Sequence, residues 1–163
     1  MARTGTASRR ARTGSRGRWR LGGRLSVLLF RAGLGHLLGR RRLLLHHTGR
    51  VSGRHRQAVL DVVACDPTGP SWTVAAGRGT RADWYRNLRR RPKTVVQSGN
   101  RHHAVTARFL TAEAGARMMV EYARRRPATA RRLCDRLGLR VDGSEGAYRA
   151  AGRAIAFVRL DAD

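Results

Sequence analysis

Thr48-Gly49-Arg50-Val51-Ser52-Gly53-Arg54-His55-Arg56 lies between two apolar runs, residues 43–47 on one side and residues 57–65 on the other. Val59, Leu60, Val62 and Val63 give the second run the pattern of a strand, and the first ends in Thr48-Gly49. The segment therefore reads as a turn joining two strands. Its glycines let the backbone approach a ligand and expose amide donors, Ser52 adds a hydroxyl, and Arg50, Arg54 and Arg56 add forked cationic donors. That combination suits phosphate or carboxylate groups. The same letters also fit an ordinary basic hairpin turn, and they form neither a Walker loop nor a dinucleotide fingerprint.

Further along, Asp66-Pro67-Thr68-Gly69-Pro70 is a turn by composition, since proline presets φ and glycine permits positive φ. Residues 72–76 resume a strand, and Gly77-Arg78-Gly79-Thr80 is a loop. Asp83 is the expected N-cap of a short helix over residues 84–91, stopped by Pro92, whose ring disfavours helix in the residue before it. Strands follow at residues 94–97 and 102–110, joined by Ser98-Gly99-Asn100-Arg101, a hairpin signal. Thr111 opens a helix that ends before Pro127, a second helix covers residues 128–137, and Gly138 stops it. Residues 142–153 read as a polar loop with a helical turn around Tyr148, and residues 154–160 supply a last strand. Short antiparallel hairpins in place of regular βαβ units argue for an α+β, mainly β fold: a split β-barrel of antiparallel strands with flanking helices.

The 163 residues carry 35 basic and 10 acidic side chains, a formal charge of +25. Lys93 is the sole lysine. Such a chain attracts nucleic acid, anionic lipid and polyanionic ligands through a salt-sensitive field whatever its specific task. Residues 1–24 hold eight arginines and no acid, which reads as a disordered basic arm. Residues 25–41 read as an amphipathic helix with Leu25, Leu28, Leu29, Ala32, Leu34, Leu37 and Leu38 on one stripe, packed on the domain or attached to anionic lipid. Residues 42–163 form the barrel domain. The apolar stretch 25–38 is interrupted by Arg31 and His36 and falls short of the ~20 residues a spanning helix requires. No signal peptide is expected either, so the cytoplasm is the expected compartment, with residues 1–38 available to the inner face of the membrane.

Cys65 and Cys134 read as reduced thiols. The pairs His46-His47 and His102-His103 invite a metal, but adjacent side chains on a strand point to opposite faces, and no metal site is expected. Met118-Met119 reads as helix packing, and the runs 124–126 and 131–132 as solvated faces.

Thr48-Gly49-Arg50-x-Ser52-Gly53, then Arg56-Gln57-x-Val59-Leu60, then Asp83-Trp84-Tyr85-Arg86-Asn87-Leu88 and Pro92 resemble the deazaflavin-dependent nitroreductase family. The similarity runs over residues 43–160 and includes Tyr122, residues 124–127 and Gly143-Ser144. It implies a split β-barrel whose members take a hydride from reduced coenzyme F420 and hold its phosphate and glutamyl tail in the basic loop. Carried over, Arg50, Ser52, Gly53 and Arg56 match the tail-binding motif. Gly77, Arg78 and Gly79 lie along the cofactor, and Trp84 and Asn87 match recurrent aromatic and polar positions. For Trp84 core packing is the competing role, and for Asn87 a capping or surface one. Val51 stands where many members carry lysine. FMN is the alternative cofactor. No catalytic acid is assigned, because hydride transfer is chemistry the cofactor carries while the protein binds and orients it. The resemblance implies an oxidoreductase acting on an electron-poor organic acceptor such as a quinone or nitro compound. It leaves the oligomeric state open, since split barrels often pair and the family includes monomers. The alternative is a basic nucleic-acid-binding or membrane-surface protein without catalysis. Nucleic acid binding is expected to be non-specific, as no RNA or DNA motif is present and few aromatics are available to stack bases.

Overall fold

The computed structural model describes residues 27–32, 41–66 and 68–163. The basic arm expected at residues 1–24, most of the helix expected at residues 25–41, and Pro67 lie outside the described residues.

Six antiparallel strands close on themselves. In chain order they are β1 (Arg42–Thr48), β2 (His55–Cys65), β3 (Ser71–Ala76), β4 (Lys93–Ser98), β5 (Arg101–Phe109) and β6 (Ala156–Ala162). Around the barrel the order is β1-β2-β3-β6-β5-β4, and β4 returns to β1. Leu44 faces Gln97, Leu45 faces Val96 and His46 faces Val95 across that last seam, so the barrel leaves no long unpaired edge. A short 3-10 turn (Gly79–Arg81) and helix α1 (Asp83–Arg90) connect β3 to β4. Helices α2 (Ala112–Arg125), α3 (Pro127–Arg136) and α4 (Glu145–Ala154) fill the connection from β5 to β6.

Strand alternation divides the apolar residues between two cores. Leu43, Leu45, Leu60, Trp72, Val74, Val96, Val105, Val158 and Leu160 fill the barrel, with Leu88 of α1 closing it. Val63, Ala75 and Phe157 point the other way and meet Met119, Leu133, Tyr148 and Ala151 of the three helices. Met119 is thus a packing residue, as its sequence context suggested. Cys65 is exposed, Cys134 is buried, and no disulfide joins them.

Residues 27–31 form a helical turn laid on the sheet. Phe30 is 2% exposed and Leu28, on the expected apolar stripe, is 58% exposed. The docking contacts explain the difference: Gln97 donates to the Phe30 carbonyl, and Arg31 donates twice to the side-chain oxygen of Gln57, at 3.0 and 3.2 Å.

Two local expectations fail. Ala82, not Asp83, is the N-cap of α1, and no side chain caps it; Asp83 sits in the first turn with its carboxylate committed to Arg50. The expected polar loop at residues 142–153 is largely the helix α4. The Ser144 hydroxyl accepts from the Ala147 amide at 3.1 Å, an N-cap that offsets the cost of Gly146 and Gly152. Tertiary packing supplies the rest. A Cβ on Gly115 would lie 2.6 Å from the Gly152 carbonyl oxygen, and one on Gly152 would lie 2.5 Å from that of Gly115. The two glycines let α2 and α4 cross at backbone contact. Gly152→Ala is therefore expected to lower stability by about 2 kcal/mol or more, since overpacking against backbone has no rotamer to relax into; a thermal-unfolding midpoint equal to wild type would contradict this packing.

Candidate cofactor site

The loop between β1 and β2 is folded back on itself. The Gly49 amide donates to the Arg54 carbonyl at 2.9 Å, and the Gly53 amide donates to the Gly49 carbonyl at 2.8 Å. Gly53 has φ 65°, a conformation that costs an L side chain about 1–2 kcal/mol. A Cβ on Gly49 would lie 2.6 Å from Ser52 Oγ and 3.2 Å from Arg56 Nε, so the absent side chain is what lets Ser52 and Arg56 converge over the loop. The Arg54 amide is turned toward Ser52 Oγ, at 3.4 Å. Val51 is 92% exposed at the tip.

This geometry changes the division of labour expected from sequence. The amides of Gly49, Arg50, Gly53 and Arg54 are all spent inside the protein. What remains on the loop for an anionic ligand includes the Arg50, Arg54 and Arg56 guanidinium groups and the Ser52 hydroxyl.

Asn87 ties the loop to α1. It is 3% exposed, and its Oδ1 accepts from the Arg50 backbone amide at 3.0 Å and from Arg50 Nη1 at 3.2 Å. Its Nδ2 lies 2.9 Å from His47 Nδ1. Arg50 Nη1 also reaches the Asp83 carboxylate at 3.2 Å. Asn87 is accordingly a support beneath Arg50, with little surface of its own. His47, Asp83 and Thr80 were named in the sequence in other roles and not assigned to the cofactor site. The signal for His47 was its inward position on β1, in phase with Leu43 and Leu45.

Burial pushes the His47 pKa down from 6.5 to about 4, helped by Arg56 and His55 and opposed by Asp83. His47 is therefore neutral in the folded protein near neutral pH.

Two grooves adjoin beside the loop. The first, about 440 Å3, is lined by Arg50, Thr80, Tyr85, Arg86 and Arg89. The second, about 590 Å3, runs along residues 76–81 and is walled by Leu137, Leu139 and residues 154–156. Thr80 lines both. Arg50 thus belongs to the first groove, and Gly77, Arg78 and Gly79 to the second. Trp84 lines neither; it is half-buried against the barrel core, 6.0 Å from the Tyr85 ring in an edge-on arrangement. Among the described residues no group of three or more His, Cys, Asp or Glu could hold a metal ion, and no helix is long and apolar enough to cross a membrane.

A sequence profile described as F420H(2)-dependent quinone reductase matches residues 24–139. The chain belongs to this family. It is accordingly an oxidoreductase dependent on reduced F420, which places FMN second and displaces the reading of a basic binder without catalysis. No curated protein matches the chain. Solved structures share the fold at low identity. One described as an F420-H2 dependent reductase (FDR-A) is 22% identical with a TM-score of 0.50, over 75% of this chain and 95% of that one. A pyridoxamine 5'-phosphate oxidase-related, FMN binding protein from Nostoc punctiforme is 12% identical with a TM-score of 0.51, over 92% and 82%. HutZ, a heme storage protein from Vibrio cholerae, is 12% identical with a TM-score of 0.50, over 84% and 87%.

The donor set of this chain fits the cofactor of the F420H(2)-dependent quinone reductases. F420 carries a phosphate and carboxylates, and the loop gathers guanidinium and hydroxyl donors over a glycine whose Cβ would fill the space.

The lowered His47 pKa has a consequence for stability. The unfolded chain takes up the imidazole proton below pH 6.5 while the folded protein resists it down to about pH 4, so stability falls as pH drops through that window. His47→Gln removes the titration, and its thermal midpoint is expected to fall less steeply than that of wild type between those two pH values. Parallel profiles would contradict the assignment.

Proposed function

We propose that this chain transfers a hydride from reduced F420 to a quinone, holding the cofactor's anionic tail at Arg50, Ser52, Gly53 and Arg56 and its ring along residues 77–80. The observation that carries this reading is the shared wall at Thr80. A groove lined by Arg50, Arg86 and Arg89 shares Thr80 with one walled by Leu137, Leu139 and Ile155. One elongated ligand with a charged tail and a planar head suits that sequence of surfaces, and the apolar wall is where a quinone ring would pack.

Each residue then has a task. Guanidinium groups pair with phosphate and carboxylate oxygens, and Ser52 donates its hydroxyl. Gly77 and Gly79 leave room beside the ring, and Arg78 lies on its path. Asn87 supports Arg50 from below, and Trp84 fixes α1 against the barrel. Reduced F420 supplies the hydride. The protein's contribution is to bind, to hold donor and acceptor in contact, and to keep water from the apolar wall. A quinone is favoured over a nitro compound by the family's description.

The test is a fluorescence titration with F420 at near-physiological salt on wild type and on the Arg50→Ala, Arg56→Ala double variant, with FMN as control. Each lost charge-assisted contact is worth about 1.5–3 kcal/mol, so affinity is expected to fall at least about a hundredfold. Equal affinity in both proteins would overturn the tail site. Leu139→Asp is expected to raise KM for a quinone such as menadione several-fold; an unchanged KM would remove the second groove as the acceptor site.

A further inference from the structure

We propose that His47 is a positioning residue for the cofactor site: from inside the barrel, its Nδ1 fixes the orientation of the Asn87 amide and, through it, the Arg50 side chain. The inference rests on the reading of Arg50 as a ligand for the anionic part of F420, and adds a residue that lies beneath that site and never touches the cofactor.

His47 is 6% exposed and points into the barrel with Leu43 and Leu45. Its pairing partner across the ladder is Arg56, so the strand that carries the imidazole is hydrogen-bonded to the strand that carries a second tail-site arginine. The amide of Asn87 has only one good orientation. Oδ1 accepts two bonds from Arg50, at 3.0 and 3.2 Å. With the amide turned over, its NH2 group would face those same donors and its oxygen would face the imidazole. An amide nitrogen can only donate, so His47 Nδ1 at 2.9 Å must accept. The ring proton therefore resides on Nε2.

Every charged neighbour bears on that arrangement. Arg56 and His55 on β2 and His46 on β1 oppose a positive imidazole, Asp83 on α1 favours one, and burial outweighs Asp83. The neutral ring keeps its acceptor lone pair across neutral pH. An aliphatic side chain at this position would leave the Asn87 NH2 group buried without a partner and would release the amide to turn. Arg50 would then lose the acceptor that holds both its backbone amide and its guanidinium.

The experiment measures F420 affinity by fluorescence, with thermal unfolding alongside, for wild type, His47→Leu, His47→Gln, Arg50→Ala, and Arg50→Ala combined with His47→Leu. His47→Leu is expected to weaken F420 about tenfold, the equivalent of one hydrogen bond to a charged group. His47→Gln, whose side-chain carbonyl can accept from Asn87, is expected to restore most of that loss. On the Arg50→Ala background His47→Leu is expected to change affinity far less, because the guanidinium that Asn87 aims is already gone and only the backbone tether at residue 50 remains. Full additivity would overturn the proposal in favour of a general packing defect, as would wild-type affinity in His47→Leu. An unchanged affinity in Arg50→Ala alone would instead overturn the tail site and this inference with it. Nitrogen NMR of the imidazole in wild type gives a readout independent of whether His47→Leu folds: the Nε2-protonated tautomer is expected at neutral pH, and the Nδ1-protonated form would refute the proposal.

Discussion

The side-chain amide of Asn87 is buried at the junction of α1, β1 and the loop between β1 and β2, with an acceptor demand on one side and a donor demand on the other. A buried amide left unsatisfied costs about 1–3 kcal/mol, so these three elements are fixed relative to one another by hydrogen bonds that admit one arrangement. The barrel makes the junction stiff. His47 sits on a strand paired on both sides, and Leu88, the next residue along α1, is 1% exposed in the barrel core. The loop inherits that rigidity through Arg50 even though its tip is fully in solvent.

The distribution of acids sharpens the site's charge. Glu113 and Glu145 pair with Arg124, Arg149 and Arg153 on the helices. Asp61 pairs with Arg42 and Arg136, and Asp161 with Arg108 and Arg159. Beside the loop Asp83 is the acid in an ion pair, and its partner is Arg50. Among the described residues Arg54, Arg56, Arg78, Arg86 and Arg89 form no ion pair. Net charge in this chain draws many polyanions, whereas Arg50, Arg86 and Arg89 line one groove in which, among the described residues, Arg86 and Arg89 carry no carboxylate partner.

Much of the fold was legible because local signals and tertiary demands agreed. The apolar runs of β1 and β2, the Gly99-Asn100 turn and the Thr111 cap each specified the element the structure contains. The helix α4 escaped because its sequence carries two glycines and follows Asp142-Gly143-Ser144. The reason it is helical, contact between Gly115 and Gly152, joins residues far apart in the chain. The loop motif put Arg50, Ser52, Gly53 and Arg56 in one segment, and the absent side chain of Gly49 lets Ser52 and Arg56 come together there. What the motif could not reveal is direction. Asn87 reads as a polar residue on a helix and proves to face inward, and the loop amides of Gly49, Arg50, Gly53 and Arg54 are consumed within the protein. Trp84 illustrates the same limit, since helical phase alone does not say whether an aromatic faces a groove or the barrel wall.

The most direct test of the account is a crystal structure of the protein in complex with F420. The account requires phosphate or carboxylate oxygens within hydrogen-bond distance of the Arg50 and Arg56 guanidinium groups, the deazaflavin ring alongside Thr80, and Asn87 still bonded to His47. A cofactor bound elsewhere on the barrel, with Arg50 turned wholly onto Asp83 and Asn87, would contradict it.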